Sequence, residues 1–175
     1  MTDPKNDPAR EFEASGAAAR LAGILREPTC LVGVGHILRR DDGFGPWIAG
    51  AVRPGLSGTT VRVIDAEDVP ENFVPVIARA DCWNVVFVDA VTAEGPPGSV
   101  VFGPLADFGE VESSSTHHLA LSLSGKFLEA AGKRVFLLGV VPADLGFGSG
   151  LTAAVARTAT ALRDLILRSA APPSD

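Results

Sequence analysis

The side chains that could bind a metal ion or move a proton are concentrated in a few short segments. An apolar run leads into LVGVGHILRRDDGFGPW (residues 31–47), two later apolar runs each contain or end in an aspartate, and SSSTHH supplies the other two histidines. The candidate residues are His36, Asp41, Asp42, Asp65, Asp89, His117 and His118. Carboxylate oxygens and imidazole nitrogens without thiolates are typical of a divalent metal with open coordination positions, and they argue against a closed structural zinc site.

Several of these residues also have a structural role open to them. Asp41 or Asp42 could cap the helix predicted to follow them, and Thr116 could cap a helix whose first turn exposes both histidines. Asp65 could accept hydrogen bonds from backbone amides beyond the end of its strand. These alternatives stay open at the level of the sequence.

Two other kinds of site receive little support. GVGHIL resembles a dinucleotide-binding turn, but Leu38 stands where the third glycine is needed, and Arg39 and Arg40 precede the next helix. Ser149 lies in GFGSGLT and not in the GxSxG turn of many serine hydrolases.

The elements that must position the candidate residues alternate between strands and helices. Strands are predicted at residues 30–35, 59–65 and 84–91, with helices at 45–53 and 71–80 between them. This order packs as right-handed crossovers onto a mostly parallel sheet. Ligands of such sheets bind beyond the carboxyl ends of the strands, where the strand order reverses. The candidate residues are therefore predicted to meet at one edge of the sheet.

The second half of the chain completes the predicted fold. Residues 98–103 form a fourth strand after TAEGPP, a connection too short for a helix, so this strand is expected to be antiparallel, at an edge or beside a later strand. A helix at 118–130, a fifth strand at 134–142 and an amphipathic helix at 152–168 follow. The predicted fold class is α/β, a three-layer α/β/α sandwich with a mixed, mostly parallel five-stranded sheet.

The 175 residues are enough for one domain with additions at its ends. Residues 28–168 are predicted to form the α/β domain, and residues 9–27 an N-terminal helical extension with a helix at 10–25. Residues 1–8 and 169–175 are predicted to be flexible tails.

Composition restricts the classes of partner and the compartment. The net charge of −6 argues against nucleic acid, which needs a surplus of basic side chains on some face. No apolar run approaches the roughly 20 residues of a membrane helix, and the charged N-terminus lacks the apolar core of a secretory signal. Cys30 and Cys82 are far apart in the chain and form no CxxC pair, so we expect buried, reduced thiols. A cytoplasmic protein is therefore expected.

Five motifs, in this order and spacing, carry a resemblance to a known family: GVGHILRRDDGFGP, VIDAEDVPENF, FVDAV, STHHLAL and GVVPADLGFGSGLT. Over residues 30–167 the chain resembles the nickel-iron hydrogenase maturation endopeptidases, particularly the branch acting on hydrogenase 3 and coenzyme F420-reducing hydrogenases. The resemblance implies an endopeptidase that removes a C-terminal extension from the hydrogenase large-subunit precursor once nickel has been inserted. It also implies that strand four of the five-stranded sheet is antiparallel.

The same resemblance implies roles for individual residues. Matched to the family, Asp42, Asp89 and His117 contact the metal, which is nickel presented by the precursor. The nickel would then signal that the precursor is loaded. It could also serve as a Lewis acid on the scissile carbonyl or on the attacking water. In the alternative chemistry, Asp65 is the candidate general base.

Two departures from the family lie near the predicted cleft. His36 replaces an asparagine, either as a fourth metal ligand or as a hydrogen-bonding substitute. Glu67 and Asp68 replace small residues of a turn, which could narrow the groove, repel an acidic tail or attract a basic one. The altered turn keeps a second function open: a non-proteolytic module that binds nickel or the precursor as an assembly checkpoint. The oligomeric state is left undetermined.

Overall fold

Five strands form one mixed, mostly parallel sheet. The computed structural model describes residues 7–109, 117–170 and 172. The strands are β1 (Thr29–Gly33), β2 (Val61–Asp65), β3 (Asn84–Ala90), β4 (Val100–Pro104) and β5 (Arg134–Val140). Their spatial order is β2-β1-β3-β5-β4, and every neighbouring pair is parallel except β4 with β5. The predicted sheet is confirmed, and antiparallel β4 lies both at an edge and beside the later strand β5.

Helices cover both faces of this sheet. They are α1 (Pro8–Glu13), α2 (Gly16–Ile24), α3 (Phe44–Val52), α4 (Val74–Arg79), α5 (His118–Ala130) and α6 (Ala153–Ala170). One core contains side chains of α1, α2, α3 and α6, and the other contains side chains of α4 and α5. Val86 and Phe87 are adjacent in β3 and point to different cores, as alternation along a strand requires. No helix within the described ranges is long and apolar enough to cross a lipid bilayer.

The helix predicted over residues 10–25 is two helices in the structure, because Ser15 interrupts it. The Ser15 hydroxyl accepts a hydrogen bond from the backbone N–H of Ala18 at 3.2 Å and donates one to the carbonyl of Phe12 at 2.6 Å. It thereby caps the start of α2 just after α1 ends. Phe12 and Leu21, one from each helix, are both buried in the core that these helices share with α3 and α6.

The helix predicted over residues 71–80 is shorter than expected because of a proline. A 3₁₀ turn occupies Pro70–Phe73, and α4 begins only at Val74. Pro75 has no backbone N–H, and its ring would clash with the carbonyl of Glu71 in a continuous α-helix. The same proline is well tolerated in the first turn of a helix that begins at Val74.

The helices at both ends of the chain extend into the predicted tails. The Asp7 side chain accepts a hydrogen bond from the N–H of Ala9 at 3.1 Å, so Asp7 caps α1 and Pro8 begins it. At the other end α6 continues to Ala170, and residues 169 and 170 are buried. The prediction of tails is therefore wrong for residues 7–8 and 169–170. The predicted tail residues 1–6, 171 and 173–175 lie outside the described residues, as does the predicted cap Thr116.

Two glycines allow the loop after β1 and the start of α3 to lie directly against the sheet. Gly35 has a φ of +137°, and a Cβ at this position would lie 1.7 Å from the carbonyl oxygen of Asp42. A Cβ on Gly45 would lie 2.3 Å from the carbonyl oxygens of both Val34 and Val88. Because only glycine fits such close backbone contacts, these positions fix the path of the loop that carries Asp42.

The two cysteines lie near the amino ends of β1 and β3. Both are buried and free, as predicted, and their Sγ atoms are 3.1 Å apart. Burial and, second, the neighbouring Cys82 thiol raise the pKa of the Cys30 thiol to about 12. Cys30 is therefore a protonated, poorly nucleophilic thiol at neutral pH.

Candidate metal centre

The strand order reverses between β1 and β3, and the candidate site lies at this point. The chain leaves β1 for β2 on one side and then crosses to β3 on the other side, so a crevice opens at the carboxyl ends of β1 and β3. Asp42 lies in the 3₁₀ turn Arg40–Gly43 of the loop after β1, Asp89 lies near the end of β3, and His117 directly precedes α5. The fold thus brings residues from three separate segments to one place.

Asp42, Asp89 and His117 form a compact, buried group. One potential ligand atom of each lies within 4.8 Å of those of the other two. Their exposed fractions are 3%, 1% and 5% respectively. His117 Nδ1 is 4.0 Å from Asp42 Oδ1, which is too long for a hydrogen bond. Metal–ligand distances of about 2.1 Å place two ligands of one ion up to about 4 Å apart, so the 4.0 Å between His117 Nδ1 and Asp42 Oδ1 is compatible with two ligands that share an ion.

Two polar atoms of this group have no hydrogen-bond partner within the part of the chain that the structure describes. The His36 N–H donates to Asp42 Oδ2 at 3.0 Å, and the Ala90 N–H donates to Asp89 Oδ1 at 2.8 Å, which orients both carboxylates. Asp89 Oδ2 and His117 Nδ1 are buried and have no hydrogen-bond partner among the described residues. Buried polar atoms are rarely left unpaired, so these two atoms fit the role of metal ligands.

The electrostatics of the group also favour a cation. Burial raises the pKa of the Asp89 carboxyl well above its usual range, the negative charge of Asp42 raises it further, and the N–H of Ala90 opposes both effects. Without a cation, Asp89 therefore keeps a proton that an exposed aspartate would lose. A bound divalent cation would stabilise both carboxylates and displace that proton.

Asp41, next to Asp42, serves as an anchor. It is fully buried, and its carboxylate accepts hydrogen bonds from the N–H groups of Ala143 at 2.8 Å, Asp144 at 3.1 Å and Thr152 at 2.7 Å. The Thr152 hydroxyl also donates to Asp41 Oδ2 at 2.8 Å. Asp41 thus ties the β5–α6 loop to the loop after β1. The adjacent Asp42 instead belongs to the group with Asp89 and His117, which we call the metal group. The sequence did not reveal this anchor, because Thr152 lies 111 residues away along the chain.

The other two histidines lie outside the group of three. The Nδ1 of His36 accepts a hydrogen bond from the N–H of Leu38 at 3.1 Å. This contact supports the interpretation of His36 as a hydrogen-bonding substitute for asparagine. His118 lines a separate cavity of about 300 Å³ between α5 and the turn that follows β4.

Asp65 is also separate from the group, but it borders a neighbouring cavity. It is exposed, and its Oδ1 accepts a hydrogen bond from the N–H of Glu67 at 3.2 Å, the structural role left open by the sequence. With Gly43 and Arg40 it lines a cavity of about 180 Å³. Gly43 follows Asp42 in the chain, so one wall of this cavity is formed by the loop that carries Asp42. The role of Asp65 as a general base stays a prediction.

The fold and the site define an α/β protein with a candidate divalent-metal centre at the switch point of its sheet. A family model described as "Hydrogenase maturation protease" matches residues 53–169, a segment that contains Asp65, Asp89 and His117. The chain belongs to this family, the hydrogenase maturation proteases.

Individual relatives agree with this assignment. The Hydrogenase 3 maturation protease of Escherichia coli K12 is 31% identical over 118 residues, which are 67% of this chain and 74% of that protein. The solution structure of the endopeptidase HycI from Escherichia coli has a TM-score of 0.69 at 26% identity, covering 78% of this chain and 86% of the other. The crystal structure of a NiFe hydrogenase maturation protease HycI from Thermococcus kodakarensis KOD1 shares the fold, with a TM-score of 0.73, 24% identity and coverage of 86% and 97%.

The anchoring role of Asp41 predicts different effects for two adjacent substitutions. Asp41→Asn replaces an acceptor oxygen by an NH₂ group and so removes hydrogen bonds that the charged carboxylate accepts from Ala143, Asp144 and Thr152; it should lower the free energy of unfolding by about 2–3 kcal/mol. The matched control Asp42→Asn loses one backbone hydrogen bond and relieves repulsion with Asp89, so it should lower stability by less than about 1 kcal/mol. Urea unfolding measures both, and equal losses of stability would contradict the anchor.

The raised pKa of Asp89 predicts that Asp89→Asn stabilises the metal-free protein at neutral pH, by about 0.5–2 kcal/mol. The unmutated protein loses stability as pH rises from the unfolded-state pKa of about 3.9 through the raised pKa of Asp89, and the variant does not. The stability difference should therefore grow with pH over this window when urea unfolding is measured in the presence of a chelator.

Asp65→Asn, at an exposed position, is the control for this measurement and should change stability by less than about 0.5 kcal/mol. A metal-free Asp89→Asn variant that is less stable than the unmutated protein at neutral pH would contradict the electrostatic description of the site.

Proposed function

We propose that this chain is an endopeptidase that removes a C-terminal extension from the nickel-loaded large-subunit precursor of a nickel-iron hydrogenase. Membership of the hydrogenase maturation protease family supports proteolysis. The relatives are named as a hydrogenase 3 maturation protease and as an endopeptidase, which favours a precursor of the hydrogenase 3 type as the client. The free thiols Cys30 and Cys82 fit action in the cytoplasm.

The observation that carries this proposal is a pair of atoms in the buried group that have no hydrogen-bond partner in residues 7–109 and 117–170. Asp89 Oδ2 and His117 Nδ1, together with a carboxylate oxygen of Asp42, offer an incomplete ligand set. Such a set should hold free nickel weakly, because coordination positions remain unfilled. In the loaded precursor, nickel would already be held by thiolates of the precursor. These three side chains would then complete its coordination. The protease would then engage only a loaded precursor.

Other groups around the site orient the ligands, supply a base and select the extension in this proposal. Asp42 is held by the His36 N–H and Asp89 by the Ala90 N–H, so both carboxylates are oriented before the precursor arrives. The nickel of the precursor supplies Lewis-acid chemistry when it is bound. Asp65, exposed beside the cavity that it lines with Gly43, is our candidate for the general base that takes a proton from the attacking water. The exposed side chains of Glu67 and Asp68 would favour a basic over an acidic C-terminal extension.

Intact-mass spectrometry of the precursor tests the proposal. The unmutated protein should reduce the mass of a nickel-loaded precursor by that of a C-terminal peptide and should leave a nickel-free precursor uncut. Asp89→Asn should slow this cleavage by about 100-fold or more, because even indirect partners of metal ligands cost 10–100-fold when mutated. Asp81→Asn, at an exposed aspartate near the amino end of β3, is the control and should cut at the normal rate.

Three outcomes would contradict the proposal. Binding of the precursor without any loss of mass would indicate the checkpoint role instead of proteolysis. Equal cleavage of loaded and nickel-free precursor would show that the protein does not recognise nickel in the precursor. Tight binding of nickel ions to the protein alone, measured by isothermal titration calorimetry, would contradict a site that needs the precursor's ligands.

A further inference from the structure

Helix α5 carries apolar side chains on two opposite faces. Leu121 and Leu128 point into the core beneath the helix. Leu119, Leu123 and Phe127 point away from it, with exposed fractions of 69%, 58% and 70%. These last three residues, spaced four apart, form a continuous line on the helix surface, and we call them the α5 stripe.

The α5 stripe is unusual for a helix at the surface of a soluble domain. Such helices normally place polar residues opposite their buried face, and an apolar outer face normally has a partner. The stripe is about 12 Å long at 1.5 Å per residue. Val76 of α4, which packs against α5, is also more than half exposed. Contiguous apolar surface of this kind marks sites of protein–protein contact.

The α5 stripe begins at the metal group. His117, a member of that group, is the last residue before α5, and Leu119 lies two residues further on. The helix then runs back toward the amino end of the sheet, where β5 starts at Arg134. The first side chain of the stripe is therefore within one helical turn of His117, on the outer face of the helix.

Apolar side chains are also exposed on another side of the site. Leu38 lies in the loop after β1 and Phe147 in the β5–α6 loop, with exposed fractions of 55% and 90%. The two loops are joined there, since the N–H of Gly148 donates to the carbonyl of Leu38 at 2.9 Å. The Asp41 anchor holds the same two loops together. Exposed apolar surface therefore flanks the metal group both on these loops and on α5.

We propose that the α5 stripe is the docking surface for the folded body of the hydrogenase large-subunit precursor. This inference rests on the proposed function, in which the precursor carries nickel to the three buried ligands. A specific interface buries about 800 Å² on each partner, much more than the mouth of a three-residue site provides. The precursor must therefore cover neighbouring surface, and the stripe starts two residues along the chain from His117.

Two residues beside the stripe are charged, as is usual at the rim of a protein–protein interface. Lys126 and Glu129 are exposed on the same helix beside it, one of each charge. An apolar centre with a polar rim is the usual arrangement of a protein–protein interface. Truncation of central apolar residues weakens binding strongly, whereas rim residues contribute little. The stripe and these two charged residues therefore provide a matched pair for mutation.

Binding and cleavage of the nickel-loaded precursor test the inference together. The double variant Leu123→Gln/Phe127→Gln should raise the Kd for the precursor, measured by biolayer interferometry, and the KM for cleavage by tenfold or more. Its kcat should stay within about twofold, because the metal group is unchanged. The control Lys126→Gln/Glu129→Gln places two glutamines on the same helix outside the stripe and should change Kd by less than about threefold.

Each other outcome has a definite meaning. Normal Kd and KM for the double variant and for the single variant Phe127→Gln would overturn the inference while leaving the proposed function intact. A dimer of the unmutated chain in light scattering that the double variant dissolves would overturn it in favour of a second copy as the occupant. Binding of the precursor by the unmutated protein without cleavage would refute the proposed function, and the Kd values would still test the stripe. Absence of both binding and cleavage would refute both.

Discussion

The burial of two carboxylates side by side is the constraint on which the rest of this structure depends. Asp42 and Asp89 are almost completely buried beside His117, and burial, together with the negative charge of Asp42, raises the pKa of Asp89. Such an arrangement costs stability in the absence of a cation, so the surrounding fold must hold it in place. A local cost in stability of this kind is typical of functional sites. Electrostatically, the same arrangement favours a ligand that brings positive charge.

The fold meets this constraint with contacts between distant parts of the chain. Asp41 fixes the loop that carries Asp42 to the β5–α6 loop through three backbone N–H groups and the hydroxyl of Thr152. Gly45 allows the start of α3 to lie against the backbone at the ends of β1 and β3. Both contacts hold the loop from outside the metal group, so Asp89 Oδ2 and His117 Nδ1 remain available as ligands. Rigidity and an open ligand set are therefore provided by different residues.

The sequence predicts much of this arrangement, for reasons that are local. Apolar runs that end in acidic residues mark the strands, and parallel crossovers bring their carboxyl ends to one edge, where the candidate residues were expected. The resemblance to the family then selected Asp42, Asp89 and His117 among them. The break at Ser15 and the late start of α4 were missed because helical periodicity does not register a cap or a proline. The anchor at Asp41 depends on a partner 111 residues away and was not predictable from spacing.

Nickel K-edge X-ray absorption of the loaded precursor, before and after rapid mixing with this protein, tests the central claim most directly. If Asp42, Asp89 and His117 complete the coordination of nickel, the nickel should gain oxygen or nitrogen ligands on mixing, in addition to the thiolates of the precursor. The addition should be absent when Asp89→Asn and His117→Gln are combined. A nickel coordination shell that stays unchanged in a complex that goes on to be cleaved would contradict the claim that these residues recognise the metal.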